Sequence, residues 1–304
     1  MRLGGPVCVA AGLVFVASAC TYPSHVAPYE QPTPAALSVA VTTDPPARAD
    51  GTVPRNARFV VQLDGYPDPD SVGFGPITLR SGRGSFDLAT SVDLVGRAVL
   101  VTPRSLMAPG AQYDLVVSGL VTLDDRVQGD DVVAAVQVGQ DDGAPFPAPP
   151  RPTWYDATGA CSGSGVCALV GKCAPFCHSP VGASGRMRTP TRYLDLEGDP
   201  RDPIFGLLGV QSVGLRGTPV PLLRVAAGDP AHSVLLRKLL GGDPQAASFD
   251  PPYPNLRVDG RRMPISLCEL PPSQCPQDQQ PAAPFTDDEL RLVQDWIAAG
   301  APLQ

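Results

Sequence analysis

Cys173-Ala174-Pro175-Phe176-Cys177-His178 places two thiols and an imidazole within six residues. That donor set suits covalent haem attachment: two thiols add to vinyl groups on one porphyrin edge, and a histidine beside the second thiol reaches the iron. The usual spelling is C-x-x-C-H, and this stretch carries one extra residue. Positions three and four apart both return to the same face of a helical turn, so the longer spacing still directs both thiols to one side. Pro175 restricts how the insert can be helical.

The chain has 304 residues, enough for about two domains. Charged residues make up 17%, below the usual quarter, and the 37 prolines favour strands, loops and short helices. A net charge of −7 argues against nucleic-acid binding, which needs a basic face.

Residues 1–20 read as an export signal, with Arg2 as the basic start, Val7 to Val16 as the apolar run and Ala17-Ser18-Ala19-Cys20 as the small-residue end. The run is too short for a permanent membrane helix. Ala-Ser-Ala-Cys resembles a bacterial lipobox, which implies lipidation of Cys20, a membrane anchor and, with Thr21 following, an outer-membrane lipoprotein in the cell envelope. Ordinary cleavage near Ala19 with a free Cys20 is the alternative. Residues 21–36 are Pro-rich without apolar periodicity and read as a tether.

Beyond the signal and Cys20, the cysteines are Cys161, Cys167, Cys173, Cys177, Cys268 and Cys275. In an oxidising compartment this set implies disulfides or covalent haem.

From 37 to 140 the chain is a series of short β runs bounded by Gly, Pro, Asp or Ser: Leu37–Val41, Phe59–Leu63, Ile77–Leu79, Ala98–Val101, Tyr113–Val117 and Val132–Val138. They predict an all-β sandwich without an inter-sheet disulfide. Asp44-Pro45-Pro46, Gly51-Thr52-Val53-Pro54, Val99 to Pro103 and Met107-Ala108-Pro109-Gly110-Ala111-Gln112-Tyr113 resemble the bacterial Ig-like domain of the S-layer type. The resemblance implies a spacer or adhesion module without catalytic residues. Asp124, Asp125, Asp130 and Asp131 offer oxygen ligands for Ca²⁺, or form a solvated loop. The Pro-rich segment 141–153 reads as a linker.

Residues 154–304 form the second predicted domain. Val166 to Lys172 is a short helical candidate. Asp229 and Pro230 open a helix whose stripe is Leu235, Leu236, Leu239 and Leu240. Thr286 and Glu289 form a capping box on a helix over 287–299, with Leu290, Val293, Trp296 and Ile297 on its apolar face and Gly300 at its end.

A six-coordinate haem needs a second axial ligand from a later loop, usually a methionine. Met263, in Arg262-Met263-Pro264, precedes the final helix and completes that order. The attachment stretch, Ala227-Gly228-Asp229-Pro230 with Ser233, Leu235, Lys238 and Leu239, Arg262-Met263-Pro264, and Thr286 to Pro302 together resemble the cytochrome c-like module of exported myxobacterial and planctomycete proteins. The attachment spacing is where the chain departs from that module.

The resemblance implies a small, mainly α cytochrome c-like domain with one covalent haem c. Cys173 and Cys177 would be its thioethers, His178 the proximal and Met263 the distal ligand. It implies one-electron transfer to a redox partner protein that the sequence does not name. Both axial positions would be filled, which favours a carrier over an enzyme.

Other readings stay open. Cys173 and Cys177 can join Cys161 and Cys167 in a disulfide framework, as in a haem-free surface or adhesion module, and thiolates with an imidazole also suit zinc. Met263 can be a gap-filling methionine. Met187 is a further ligand candidate, and His232 reads as a solvated helix position or a second histidine ligand. Cys268 and Cys275 pair with each other or with Cys161 or Cys167; sequence does not reveal which.

Overall fold

Alternation of apolar and polar residues sets the first half of the chain. In Arg58-Phe59-Val60-Val61-Gln62-Leu63, Phe59, Val61 and Leu63 are buried while the residues between them face outward, as the period-2 geometry of a strand requires. The computed structural model describes residues 36–73, 75–82, 84–161, 165–171, 199–204, 206–211, 223–240 and 285–304. Nine strands are present among the described residues: β1 Val39–Asp44, β2 Thr52–Val53, β3 Arg58–Leu63, β4 Ile77–Ser81, β5 Gly84–Ser85, β6 Leu88–Asp93, β7 Ala98–Pro103, β8 Gln112–Val117 and β9 Val132–Val138. A four-residue helix, α1 Pro69–Val72, lies between β3 and β4, with the Asp68 carboxylate accepting from the Asp70 amide.

The strands form two sheets, ordered β1-β3-β7-β6 and β2-β9-β8-β4-β5. All pairings are antiparallel except β2 with β9. Lettered in chain order, the two sheets follow the strand arrangement of an immunoglobulin-type sandwich. Phe59, Val61, Val99 and Val101 from one sheet meet Ile77, Leu79, Tyr113, Leu115, Val117 and Val138 from the other in one core. The position that an antibody domain gives to its strand F cysteine, two residues after the corner tyrosine, is Leu115, fully buried. The Tyr113 hydroxyl accepts from the Ala108 amide at 3.0 Å, which holds the turn before β8 as a tyrosine corner.

Six of these strands coincide with the predicted runs. The predicted Leu37–Val41 run lies slightly later, as β1. The sequence reading did not find β2, β5, β6 or α1.

Segment 141–146 is laid along the sandwich. Arg48 pairs with Asp141, Arg55 Nη1 with Asp142 at 2.8 Å, Asn56 Nδ2 donates to the Ala144 carbonyl at 3.0 Å, and the Arg58 guanidinium sits 4.6 Å from the Phe146 ring centroid.

The second half contains three helices among the described residues: α2 Val166–Val170, α3 Val234–Leu240 and α4 Asp287–Ala298. Trp154, Val166, Val170, Leu207, Leu236, Leu239, Val293, Trp296 and Ile297 form a second core. The predicted capping box of α4 is present, with Thr286 accepting from the Glu289 amide and Glu289 from the Thr286 amide. At its other end Gly300 N–H donates to Ile297 O and Ala301 N–H to Trp296 O, a Schellman closure with Gly300 at φ 92°.

The helix expected to open at Asp229 starts later. Residues 230–233 form a turn, in which Asp229 Oδ1 accepts from the His232 amide and Ser233 Oγ donates to the Asp229 carbonyl. These local side-chain bonds compete with a helical first turn.

Candidate functional site

The proposed haem-bearing residues Cys173, Cys177, His178 and Met263 lie outside the described residues, as do Cys20, Met187, Cys268 and Cys275. What is described is the frame that leads into and out of them. α2 ends at Val170, with Gly171 closing it, and Cys173 comes two residues after Gly171 in sequence.

α2 is fixed at three points. Cys161 and Cys167 are joined by a disulfide, with Cα atoms 5.4 Å apart. The Cys167 amide donates to the Trp154 carbonyl at 3.0 Å. Val166, Cys167 and Val170 are buried in the same core as Trp296 and Ile297 of α4.

The two tryptophans of the chain are both in this core. Their ring centroids are 5.1 Å apart with a tilt of 38°. Trp296 Nε1 donates to the Pro302 carbonyl at 2.9 Å, and that same carbonyl accepts from the Trp154 amide. The polar edge of the buried indole is thereby satisfied, and the chain end is tied to the start of the second half.

His232 is not the solvated helix position expected of it. It sits in the turn before α3, half-buried, with Nδ1 2.6 Å from Asp229 Oδ2 and Nε2 3.1 Å from Asp70 Oδ1. Both ring nitrogens face carboxylates, so neither is turned toward a metal.

Nearby, burial pushes the Asp68 carboxyl above the usual range, and the Asp70 carboxylate adds to this, against the opposing Asp70 amide bond and the charges of Arg237 and His232. Burial lowers the Arg237 guanidinium from its ordinary value while Asp68, Asp70 and Asp229 oppose it. Arg237 Nε donates to the Ala231 carbonyl at 2.8 Å.

Of the acidic residues weighed as a Ca²⁺ site, Asp124 lies in an ion-pair cluster. Asp124 accepts from Arg126 Nε at 2.9 Å, and Arg126 Nη1 pairs with Asp64 at 3.0 Å. Gln128 crosses the same loop, accepting from the Leu120 amide and donating to the Val117 and Asp130 carbonyls. Among the described residues no group of three or more His, Cys, Asp or Glu side chains is placed to hold a metal ion. Among those residues, too, no helix is long and apolar enough to cross a membrane.

No protein-family model and no curated protein matches the chain. Among solved structures, it is similar to the N-terminal part of the bacterial S-layer protein SbsC, at 12% identity and TM-score 0.28, over 51% of this chain and 33% of that one. It is also similar to the S-layer protein rSbsC(31-844), at 15% identity and TM-score 0.27, over 41% of this chain and 17% of that one. The chain therefore spans a third or less of the structures it matches, and its architecture rests on the strand order above.

Proposed function

We propose that the protein is an exported c-type cytochrome-like electron carrier, whose second half holds one covalent haem through Cys173, Cys177 and His178, with Met263 as the distal ligand. The observation that carries this reading is the Cys161–Cys167 disulfide. It pairs the two cysteines upstream of the attachment stretch with each other, which supports a separate role for Cys173 and Cys177. The disulfide also supports export, since such bonds persist in oxidising compartments. An envelope location with lipid attachment at Cys20 is part of the same proposal.

The donor chemistry fits the group: two thiols, an imidazole and a thioether. When bound, haem supplies a one-electron Fe(II)/Fe(III) couple whose potential a thioether ligand keeps relatively high. The chain's own residues fix the frame: the disulfide and the Trp154 carbonyl hold α2, and α4 backs it. The sandwich serves as the element between the membrane surface and the carrier.

The test is a haem stain on a denaturing gel, using mature protein from a host competent for cytochrome c maturation, beside Cys177→Ala. A band that survives denaturation and is absent from the variant supports the reading. An unstained band in which mass spectrometry finds Cys173 and Cys177 in disulfides replaces it with a haem-free surface module.

A further inference from the structure

The turn between β6 and β7 does not end at the sandwich. Leu94 at its tip is fully buried and belongs to the second core, the one that also holds Trp154, Leu235, Leu290 and Trp296. Val92, Val95, Tyr66 and Leu123 pack against that core from the sandwich side.

Polar contacts close the same seam. Asp93 accepts from Gln294 Nε2 at 2.9 Å and from Arg291 Nη1 at 3.2 Å, and Gln294 Oε1 accepts from the Val95 amide at 3.1 Å. Gln294 is 7% exposed, so both ends of its amide are committed across the joint in a nearly dry setting. A second tie lies at α1, where Asp70 meets His232.

A tethered spacer needs none of this. Domains joined only by a linker keep separate cores and meet through polar, water-accessible surfaces.

We propose that the sandwich is a built-in part of the helical half's core, and that the two halves unfold as one cooperative unit with Leu94 as the plug between them. The sandwich thereby fixes the orientation of α4 instead of merely spacing it from a surface. The proposal is independent of whether haem is bound.

The chain's composition provides the test, because both tryptophans lie in the helical core while most strand signal comes from the sandwich. Urea unfolding of the full mature chain is followed by tryptophan fluorescence and by far-ultraviolet circular dichroism. The wild type is expected to give coincident transitions, the signature of one cooperative unit. Leu94→Ala, a change in the sandwich, is expected to move the tryptophan transition together with the dichroism transition. The folded-to-unfolded ratio should fall on the order of a hundredfold, the usual scale for truncating a buried leucine.

Gln294→Ala supplies the reciprocal reading, chiefly by removing the polar contacts to Asp93 and Val95 across the seam. Although the change is on α4, it is expected to lower the dichroism midpoint of the sandwich in step with the tryptophan midpoint. Separate wild-type transitions overturn the proposal, as does a tryptophan midpoint unmoved by Leu94→Ala. Should Leu94→Ala not fold, a sandwich midpoint unmoved by Gln294→Ala overturns it, and a co-shift sustains it.

Discussion

Tyr113 shows how one side chain can organise a turn that the backbone alone leaves open. Its ring is buried in the sandwich core and meets Phe86 edge-on at a centroid distance of 5.1 Å, while its hydroxyl accepts from the Ala108 amide. Tyr113→Phe keeps the packing and removes that acceptor. It is expected to cost about 1 kcal/mol, read as a lower urea midpoint at unchanged slope. Gly165, just before α2, is constrained by space. A Cβ there would lie 2.7 Å from the Trp154 carbonyl oxygen and 2.9 Å from the Asp156 nitrogen, both backbone atoms. Gly165→Ala therefore forces the chain at Trp154 away from α2. We expect a loss of about 1–3 kcal/mol, visible as a lower melting temperature followed by tryptophan fluorescence. The segment Met107 to Tyr113 was legible through its resemblance to the Ig-like domain, but the tyrosine corner was not, because a hydrogen bond from an upstream amide to a side chain leaves no periodic trace.

Among the elements, those whose own sequence carries a period or a cap were legible and those defined by a partner were not. β3, β8 and β9 alternate along their lengths, and α4 announces itself through Thr286 and Glu289. β2 and β5 are two residues each, and β6, Leu-Ala-Thr-Ser-Val-Asp, is made a strand by its register with β7. Thr286→Ala is expected to cost about 1 kcal/mol of helix stability, with faster hydrogen exchange in the first turn of α4. Segment 141–146 was read as a linker because of its prolines, which say nothing about the arginines waiting on the sandwich. The hydrogen bond from Arg48 holds the Asp141 carboxyl down to about 2 from an ordinary value of 3.8, with the Arg48 charge and the Gly143 amide helping. A depressed carboxyl contributes stability that is complete above its unfolded value and is lost as pH falls through the folded one. The strap is therefore expected to loosen between about pH 4 and pH 2. The measurement is exchange protection of the Arg55 amide, which donates to the Asp141 carbonyl at 2.9 Å. Asp141→Asn should weaken that protection at neutral pH and remove most of its acid dependence.

At the scale of the molecule, the densest chemical feature of the sequence, Cys173 to His178, lies outside the described residues, whereas the joint at Leu94 was invisible to the sequence. Leu94 stands in a polar turn, Asp-Leu-Val-Gly-Arg, and a leucine there reads as a surface residue until its place in the core that holds Trp154 and Trp296 is known. The cysteines raise the same question of partners, and there the structure allows a decisive variant. If Cys161 and Cys167 belong only to each other, replacing both with alanine removes one short loop constraint, worth about 2 kcal/mol by chain entropy. The remaining cysteines then keep their state, so Cys161→Ala/Cys167→Ala should stain for haem as the wild type does while melting at a lower temperature. A shared framework behaves differently, because deleting two of its members leaves Cys173 or Cys177 with a new partner or none. Alkylation of the unreduced double variant separates the cases. A thiol count unchanged from the wild type together with a retained haem stain keeps Cys173 and Cys177 with the cofactor, and newly alkylated thiols or loss of the stain would return them to a disulfide framework.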